Sequence, residues 1–173
     1  MEQLGMRTAF YHSLSRYLGA GGAAKAVVLK LMAHGAEVTV CNRTEEKARL
    51  LHRYRPKQIR TAGFTPAQLR RAAEGCDLLI NCTSLGMSGT AGQFEDFSFL
   101  DGLKEGVSVV DLIYAPEETR LLAEARARGH RTANGMGLLV HQAVLSLEHF
   151  TGVGLDAGAM KPVIARALGG KAD

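Results

Sequence analysis

The chain alternates between short apolar runs and longer segments in which apolar residues recur at helical spacing. The short runs are typical of buried strands, whereas apolar residues at every third or fourth position are typical of amphipathic helices. Gly35 ends the first helical segment, and Thr44 is a favourable N-cap for the second. Strands are predicted at 15–18, 37–41, 58–61, 77–81, 107–113 and 131–133, and helices at 22–34, 44–54, 66–75, 117–128, 135–150 and 157–168.

Strands that alternate with helices predict an α/β fold. The expected architecture is a doubly wound, mostly parallel, Rossmann-like sheet with helices on both faces. In such sheets a ligand lies across the carboxyl ends of the strands, near the point where strand order reverses. The loops that follow predicted strands are therefore the candidate site, and they comprise residues 19–24, 42–47, 81–87 and 111–116.

The first of these loops is rich in glycine and alanine and precedes a helix, as a dinucleotide-binding turn does. Gly19 permits a sharp turn, Gly21 lets a pyrophosphate approach the backbone, and the alanines let the helix pack close to the sheet. The N-terminus of that helix offers unpaired N–H groups to an anion. A structural turn in some other α/β protein is the alternative interpretation. The predicted pyrophosphate-binding residues are Gly19, Ala20, Gly21, Gly22 and Ala23, with Ala24 at the packing position.

The second loop indicates which nucleotide binds. An acidic side chain at the end of the second strand would accept hydrogen bonds from the free ribose hydroxyl of NAD. This chain instead has Asn42, Arg43 and Thr44 there, and Lys47 lies one helical turn further on. A guanidinium and a hydroxyl suit a 2′-phosphate, so the predicted cofactor is NADP. A methyltransferase would have an acidic residue in place of Arg43, and a solvated helix start is the plain alternative for Arg43 alone.

The remaining loops supply small polar residues and an aromatic one. The loop after the buried strand at 77–81 contains Thr83, Ser84 and Met87. Asn81 and Thr83 suit either hydrogen bonds to backbone or ribose groups or ordinary turn chemistry, and Gly86 permits a close approach. Tyr114 follows another strand and is expected either to face a ligand or to pack in the core. Gly135 precedes a helix that contains His141 and Gln142, and His141 has the position of a surface histidine.

Composition and charge exclude several classes of protein. Net charge is +4 at pH 7, but 17 acidic residues are interspersed with 21 basic ones, which argues against nucleic-acid binding. The three cysteines have no C-x-x-C spacing, so neither a disulfide framework nor a metal site is predicted, and Cys41 and Cys82, at the ends of predicted strands, are expected to be small buried hydrophobes. No apolar run is long enough for a membrane span and no signal peptide is evident. A reducing cytoplasm is the predicted location.

Together, these motifs resemble the shikimate dehydrogenase family, specifically its C-terminal NADP-binding domain. The similarity extends from Gly19 to Leu168. It rests on five motifs in the family's order: residues 19–24, Asn42-Arg43-Thr44 with Lys47, residues 81–87, residues 111–116 with Thr119, and residues 135–143.

The resemblance implies NADPH-dependent reduction of 3-dehydroshikimate to shikimate, a step of aromatic amino-acid biosynthesis. It also implies site roles. Asn42, Arg43, Thr44 and Lys47 would surround the 2′-phosphate. Thr83, Ser84, Met87 and Gly135 would line the ribose and nicotinamide side, together with Tyr114. Tyr114 and Gln142 would reach a shikimate-like substrate.

The N-terminal part of the chain departs from the family pattern. Family members have a substrate domain before the cofactor domain, which supplies a catalytic lysine and an aspartate. Thr8 and Ala9 fall near the family's aspartate segment, the aspartate position is Ala9, and we identify no catalytic residue in this chain. Residues 1–18 are interpreted as a remnant N-terminal segment with a shortened first strand, and 19–173 as the NADP-binding domain with C-terminal helices.

Three functional hypotheses follow. The leading one is a shikimate dehydrogenase-type oxidoreductase, of which this chain is mainly the cofactor domain. By itself the chain is expected to bind NADP but to turn over shikimate poorly or not at all. A non-catalytic NADP-binding module or partner subunit is the second, and a quinate-type dehydrogenase is the third. A homodimer is expected, because a cofactor domain without its neighbour should expose apolar surface.

Overall fold

Six parallel strands form a single sheet. The computed structural model describes residues 7–11, 20–44, 57, 59–90 and 92–168. The strand order is β3-β2-β1-β4-β5-β6, the order of two mononucleotide-binding halves, and this confirms the predicted doubly wound, Rossmann-like fold. The strands are β1 (Arg7–Tyr11), β2 (Glu37–Cys41), β3 (Ile59–Ala62), β4 (Leu78–Asn81), β5 (Ser108–Asp111) and β6 (Arg131–Ala133).

Among the described residues, α-helices lie between β1 and β2, between β3 and β4 and between β5 and β6, and two further helices follow the sheet. A short 3-10 helix, which the sequence pattern did not predict, lies at Ser98–Gly102 between β4 and β5. No helix in the described part of the chain is both long and apolar enough to cross a membrane. The α-helices are α1 (Ala20–Ala33), α2 (Pro66–Ala73), α3 (Arg120–Ala127), α4 (Met136–Thr151) and α5 (Ala157–Ala167).

The central strand β1 comes earlier in the chain than the predicted first strand. It pairs with β2 on one side and with β4 on the other, so the reversal of strand order lies between β1 and β4. It also precedes the predicted domain boundary at residue 18. The predicted strand at 15–18 and most of the predicted helix at 44–54 lie outside the described residues.

Side chains that alternate along the strands build a core on each face of the sheet. On one face, Ala24 and Val28 of α1 pack with Val38, Val40 and Ile80. On the other face, α2, α3 and the 3-10 helix cover a cluster that includes the fully buried Phe99. Successive residues of one strand therefore pack on opposite faces of the sheet. Leu79 belongs to the cluster on the second face, and Ile80 belongs to the cluster on the first.

All three cysteines are buried and free, and the burial predicted for Cys41 and Cys82 is confirmed. Burial raises the pKa of the Cys41 thiol to about 12. Burial, together with the nearby carboxylate of Asp111, raises the pKa of Cys82 well above its ordinary value. Both thiols therefore stay protonated and act as apolar packing groups.

A close backbone contact joins α4 to the end of β5. Gly135 precedes α4, and its N–H donates a hydrogen bond to the carbonyl of Ile113 at 2.9 Å. A Cβ atom at residue 135 would overlap the backbone carbonyl of Leu112. Since backbone cannot rotate away as a side chain does, only glycine fits this position, and the helix start is held against the loop after β5.

Gly135→Ala is therefore expected to lower the free energy of unfolding by about 1–3 kcal/mol, the usual cost of an overpacked site. The matched control is Gly137→Ala in the first turn of α4, where no atom lies within 4 Å of the position that the added methyl group would take. This control should be neutral or stabilising by up to about 1 kcal/mol, because alanine favours helix. Chemical denaturation measures both variants, and equal stabilities would contradict the packing argument.

Candidate functional site

The carboxyl ends of the strands lie in one row across the sheet. Parallel pairing aligns Tyr11 with Cys41 of β2 and with Asn81 of β4. Cys41 in turn aligns with Ala62, and Asn81 with Asp111. The loops that follow these residues therefore emerge at the same edge, which is where ligands bind to doubly wound sheets.

On the β2 side, a buried asparagine shapes the loop. Asn42 is 2% exposed, its backbone N–H donates to the carbonyl of Ala62 at 3.1 Å, and its side-chain Nδ2 donates to the carbonyl of Thr44 at 2.7 Å. These bonds turn the chain so that Arg43 and Thr44 are exposed. Asn42 thus positions the two predicted phosphate-binding residues from beneath.

Arg43 lies beside an aromatic ring that sequence reasoning missed. Its guanidinium carbon is 5.9 Å from the centroid of the Phe64 ring. None of the ion pairs formed within the described residues involves Arg43. The two residues line a pocket of about 290 Å³, whose wall also includes the apolar side chains of Leu85 and Phe94 and the acidic side chains of Glu95 and Asp96. Because Arg43 forms no ion pair within the described residues, its guanidinium is available to an anionic ligand, and the Phe64 ring beside it offers a flat apolar surface.

On the β4 and β5 side, a buried hydrogen-bond network ties the loops together. Asn81 donates from Nδ2 to Oδ1 of Asp111 at 3.0 Å, and Oγ1 of Thr119 donates to the other carboxylate oxygen at 2.7 Å. The backbone N–H and the hydroxyl of Thr83 both donate to Oδ1 of Asn81, at 2.9 and 2.7 Å. The N–H of Ile113 donates to Asp111 at 3.1 Å. The predicted ribose-side residue Thr83 is thereby fixed by an interior carboxylate.

Asp111 is fully buried, and no arginine, lysine or histidine is among its hydrogen-bond partners. Burial raises the pKa of this carboxyl, while its bonds from Thr119, Ile113 and Asn81 act in the opposite direction. Neutral donors satisfy the carboxylate without a counter-ion. Its role is structural, because it is enclosed beneath the loops and does not reach the surface of the site.

Above this network, two loops present exposed side chains. The N–H of Ser88 donates to the carbonyl of Ala115 at 2.9 Å, which joins the loop after β4 to the loop after β5. Met87 is 39% exposed and Tyr114 is 38% exposed, whereas Ser84 is half-buried. Tyr114 is therefore exposed and does not pack in the core.

The N-terminus of α4 completes this side of the edge. Gly135 is buried against the loop after β5 by the contact described above. His141 and Gln142 are exposed further along α4, and His141 has the surface position predicted for it. The structure therefore groups Thr83, Met87, Tyr114 and Gly135 on the β4–β5 side, while Arg43 and Thr44 lie on the β2 side.

The glycine-rich segment lies in the first turn of α1, because this helix begins at Ala20 and not at Gly22 as predicted. The backbone of Ala20, Gly21 and Gly22 is helical, Ala23 is half-buried, and Ala24 is fully buried against the sheet. Gly19 and Lys47, both predicted site residues, lie outside the described residues. Within the described ranges, no three histidine, cysteine or acidic side chains gather in a way that could hold a metal ion.

Comparisons with known proteins agree on one family. The protein-family profile described as "Shikimate / quinate 5-dehydrogenase" matches residues 12–90. Shikimate dehydrogenase (NADP(+)) of Geobacillus kaustophilus is 40% identical over 152 residues, which cover 87% of this chain and 54% of that protein. The chain thus spans about half the length of the curated relatives it matches.

Two solved structures are similar over almost the whole chain. Shikimate 5-dehydrogenase of Thermus thermophilus, in complex with NADP(H) and shikimate, is 30% identical with a TM-score of 0.71, covering 95% of this chain and 56% of that one. Quinate dehydrogenase from Corynebacterium glutamicum, in complex with NAD, is 26% identical with a TM-score of 0.75, covering 93% and 55%. Since one neighbour holds NADP(H) and the other NAD, fold similarity alone does not select the nucleotide.

The raised pKa of Asp111 predicts a specific pH dependence of stability. A carboxyl whose pKa is raised by folding stabilises the protein below its ordinary pKa, and this contribution is lost as pH rises through the raised value. We subtract the unfolding free energy of the Asp111→Asn variant from that of the wild type. This difference should fall as the pH increases above about 4.

Asp96→Asn is the control of opposite sign. The side chain and backbone of Ser98 donate to Asp96, and these bonds lower its pKa. The corresponding difference for Asp96 should rise with pH, because its contribution is lost as pH falls. Denaturant titrations at a series of pH values measure both, and a difference for Asp111 that rises with pH would contradict the burial argument.

Proposed function

The part of the chain that these comparisons cover belongs to the shikimate dehydrogenase family, and from that premise we propose that this chain binds NADP for shikimate dehydrogenase chemistry. The proposed reaction is reduction of 3-dehydroshikimate to shikimate, a step of aromatic amino-acid biosynthesis. The observation that supports the choice of nucleotide is Arg43. It supplies an exposed cation at the end of β2, where an NAD-binding site would have a carboxylate.

We propose that the adenosine end of NADP lies on the β2 side. Arg43 and Thr44 would bind the 2′-phosphate, with Asn42 beneath them and Lys47 alongside. The pyrophosphate would meet the start of α1, at Gly19, Ala20, Gly21, Gly22 and Ala23. The residues fit this group, because α1 offers a helix N-terminus to an anion and Arg43 has no carboxylate partner among the described ion pairs.

We propose that the nicotinamide end lies on the β4–β5 side. Thr83, Ser84, Met87, Tyr114 and Gly135 would line it, and Tyr114 and Gln142 would contact the substrate. When bound, NADPH supplies the hydride that reduces the substrate carbonyl. The exposed Met87 side chain would exclude water from one face of the ring, while the network through Asp111 keeps Thr83 and the Tyr114 loop in fixed positions.

Proton transfer to the substrate oxygen needs a positioned acid, and the proposed substrate residues Tyr114 and Gln142 include no carboxyl or amine. General acid catalysis is typically worth about 10²–10⁴-fold in rate. A non-catalytic NADP-binding module is therefore the second candidate function. A quinate-type dehydrogenase is the third, favoured by the similarity to the quinate dehydrogenase structure.

We also propose the setting in which the chain works. Residues 19–173 would form the NADP-binding unit, and three buried free cysteines suit a reducing cytoplasm. On α4, Leu145 is 65% and Phe150 is 84% exposed, an apolar surface of the kind that drives association. We propose that a second copy covers it in a homodimer, for which light scattering of the purified chain would give twice the monomer mass.

Arg43→Glu is expected to weaken NADP binding about ten- to a hundredfold, since it replaces a charge-assisted bond by repulsion. NAD affinity should hold or improve, because a carboxylate can accept the ribose hydroxyl. Isothermal titration calorimetry with each nucleotide measures the ratio of NADP affinity to NAD affinity. Arg120→Glu is the matched control, as Arg120 is also exposed and also lies over a phenylalanine, and its ratio should equal that of the wild type. If Arg43→Glu and Arg120→Glu had the same ratio of NADP affinity to NAD affinity, the proposal would be contradicted.

The 173-residue chain, assayed by itself with NADP and shikimate, is expected to turn over about 10²–10⁴-fold more slowly than full-length relatives, because its sequence offers no counterpart of the catalytic lysine and aspartate that the family resemblance implies. The Geobacillus kaustophilus enzyme, assayed alongside, sets the reference rate. A rate equal to the reference would contradict this expectation. If adding a separate substrate-domain chain restores turnover of shikimate, the result favours the oxidoreductase. If the chain binds NADP but turnover is not restored, the result favours the non-catalytic binding module.

A further inference from the structure

Sheet register places Phe64 beside Arg43. Cys41 of β2 aligns with Ala62 of β3, and Arg43 and Phe64 each lie two residues beyond that pair. The bond from the N–H of Asn42 to the carbonyl of Ala62, at 3.1 Å, extends the pairing one residue past the end of β2. The two side chains therefore leave neighbouring strand ends at the same level. Their contact is a consequence of backbone pairing and does not depend on a favourable rotamer alone.

The Phe64 ring is held from behind. It stacks on Phe94 with 6.1 Å between ring centroids and 21° between planes. Phe94 also contacts Phe99, which is fully buried, at 5.5 Å. The next residue in the chain, Thr65, is the N-cap of α2 and forms a reciprocal capping box with Gln68. Ring and backbone are thus both fixed, and the ring gives Arg43 an immobile surface.

An exposed arginine without such a surface would sample many rotamers. Ordering a flexible arginine on ligand binding costs conformational entropy, and a planar aromatic face reduces that cost by holding the guanidinium in advance. The contact leaves the N–H groups at the guanidinium edge available to an anion. Holding Arg43 in this way should therefore favour a phosphorylated ligand over an unphosphorylated one.

We propose that Phe64 is a positioning residue for nucleotide specificity, which holds the Arg43 guanidinium in place for the 2′-phosphate of NADP. This inference rests on the proposed function. Phe64 acts on the phosphate through Arg43 and affects the ratio of NADP to NAD affinity rather than nucleotide binding in general. A role in stacking on the adenine base would instead affect both nucleotides equally.

The test compares dissociation constants of NADP and NAD for the full chain and its Phe64→Leu variant. Removing a cation–π contact at an exposed site should reduce the NADP preference about two- to fivefold. The conservative variant Phe64→Tyr keeps an aromatic face and should keep the preference. In an Arg43→Ala background, Phe64→Leu should cause no further change in the ratio, because the group that it positions is gone.

Phe97→Leu is the control for general damage to the phenylalanine cluster. Phe97 packs against Phe94 and Phe99 and lies under Arg120 rather than Arg43. Its ratio should equal that of the wild type. Circular dichroism and thermal melting identify any variant that does not fold. If Phe64→Leu does not fold, the ratio for Phe64→Met replaces it, with the same expected reduction.

The outcomes separate this inference from the proposed function. If the wild type prefers NADP and loss of the ring reduces only that preference, the inference is supported. If the wild type prefers NADP but both nucleotides weaken equally, or the ratio is unchanged, the inference is overturned and the proposed function stands. If the wild type binds NADP no more tightly than NAD, both are overturned.

Discussion

In-register parallel pairing is the constraint from which the whole site follows. It sets Ala62, Cys41, Asn81 and Asp111 in one row, so that each following loop begins at the same edge of the sheet. A shift of one residue in any strand would exchange the two faces of that strand and bury the wrong side chains. The two apolar clusters therefore fix the register, and the register in turn fixes where the polar residues meet. Stability and function here share one cause.

The two halves of the site use polar groups in different ways. On the β4–β5 side, Asp111 is fully buried and bonded to Asn81 and Thr119, so its charge serves to hold two loops in place. On the β2 side, Arg43 is exposed and rests on Phe64, so its charge is available to a ligand. Fixed loops on the β4–β5 side and an accessible cation on the β2 side are what the proposed binding of a long, asymmetric nucleotide requires.

The sequence pattern predicted most elements because each is determined by its own residues. The strand at 37–41 was predicted to the residue, since its apolar run has clear boundaries. The helix predicted at 117–128 begins only at Arg120, because Thr119 caps it while also donating to Asp111. The strand predicted at 107–113 ends at Asp111, whose side chain takes the N–H of Ile113. At both of these boundaries a hydrogen bond to Asp111 accompanies the shift.

Other features were beyond sequence reasoning for the same physical reason. Phe64 resembles any loop phenylalanine, and its contact with Arg43 arises only from the pairing of β2 with β3. The motifs were sufficient to identify the family, which the comparisons confirm, because glycines, Asn42-Arg43-Thr44 and the later loops occur together in order. The central strand was not recognised at Arg7–Tyr11, where an arginine and a threonine interrupt the apolar pattern that a buried strand normally has.

The most direct test of the central claim is a crystal structure of the 173-residue chain grown with NADP. The account predicts that the nucleotide lies across the carboxyl ends of the strands, with its 2′-phosphate bonded to the guanidinium of Arg43 and its nicotinamide between the loops of Thr83 and Tyr114. Density for the nucleotide elsewhere, or a 2′-phosphate that faces solvent while Arg43 points away, would contradict it.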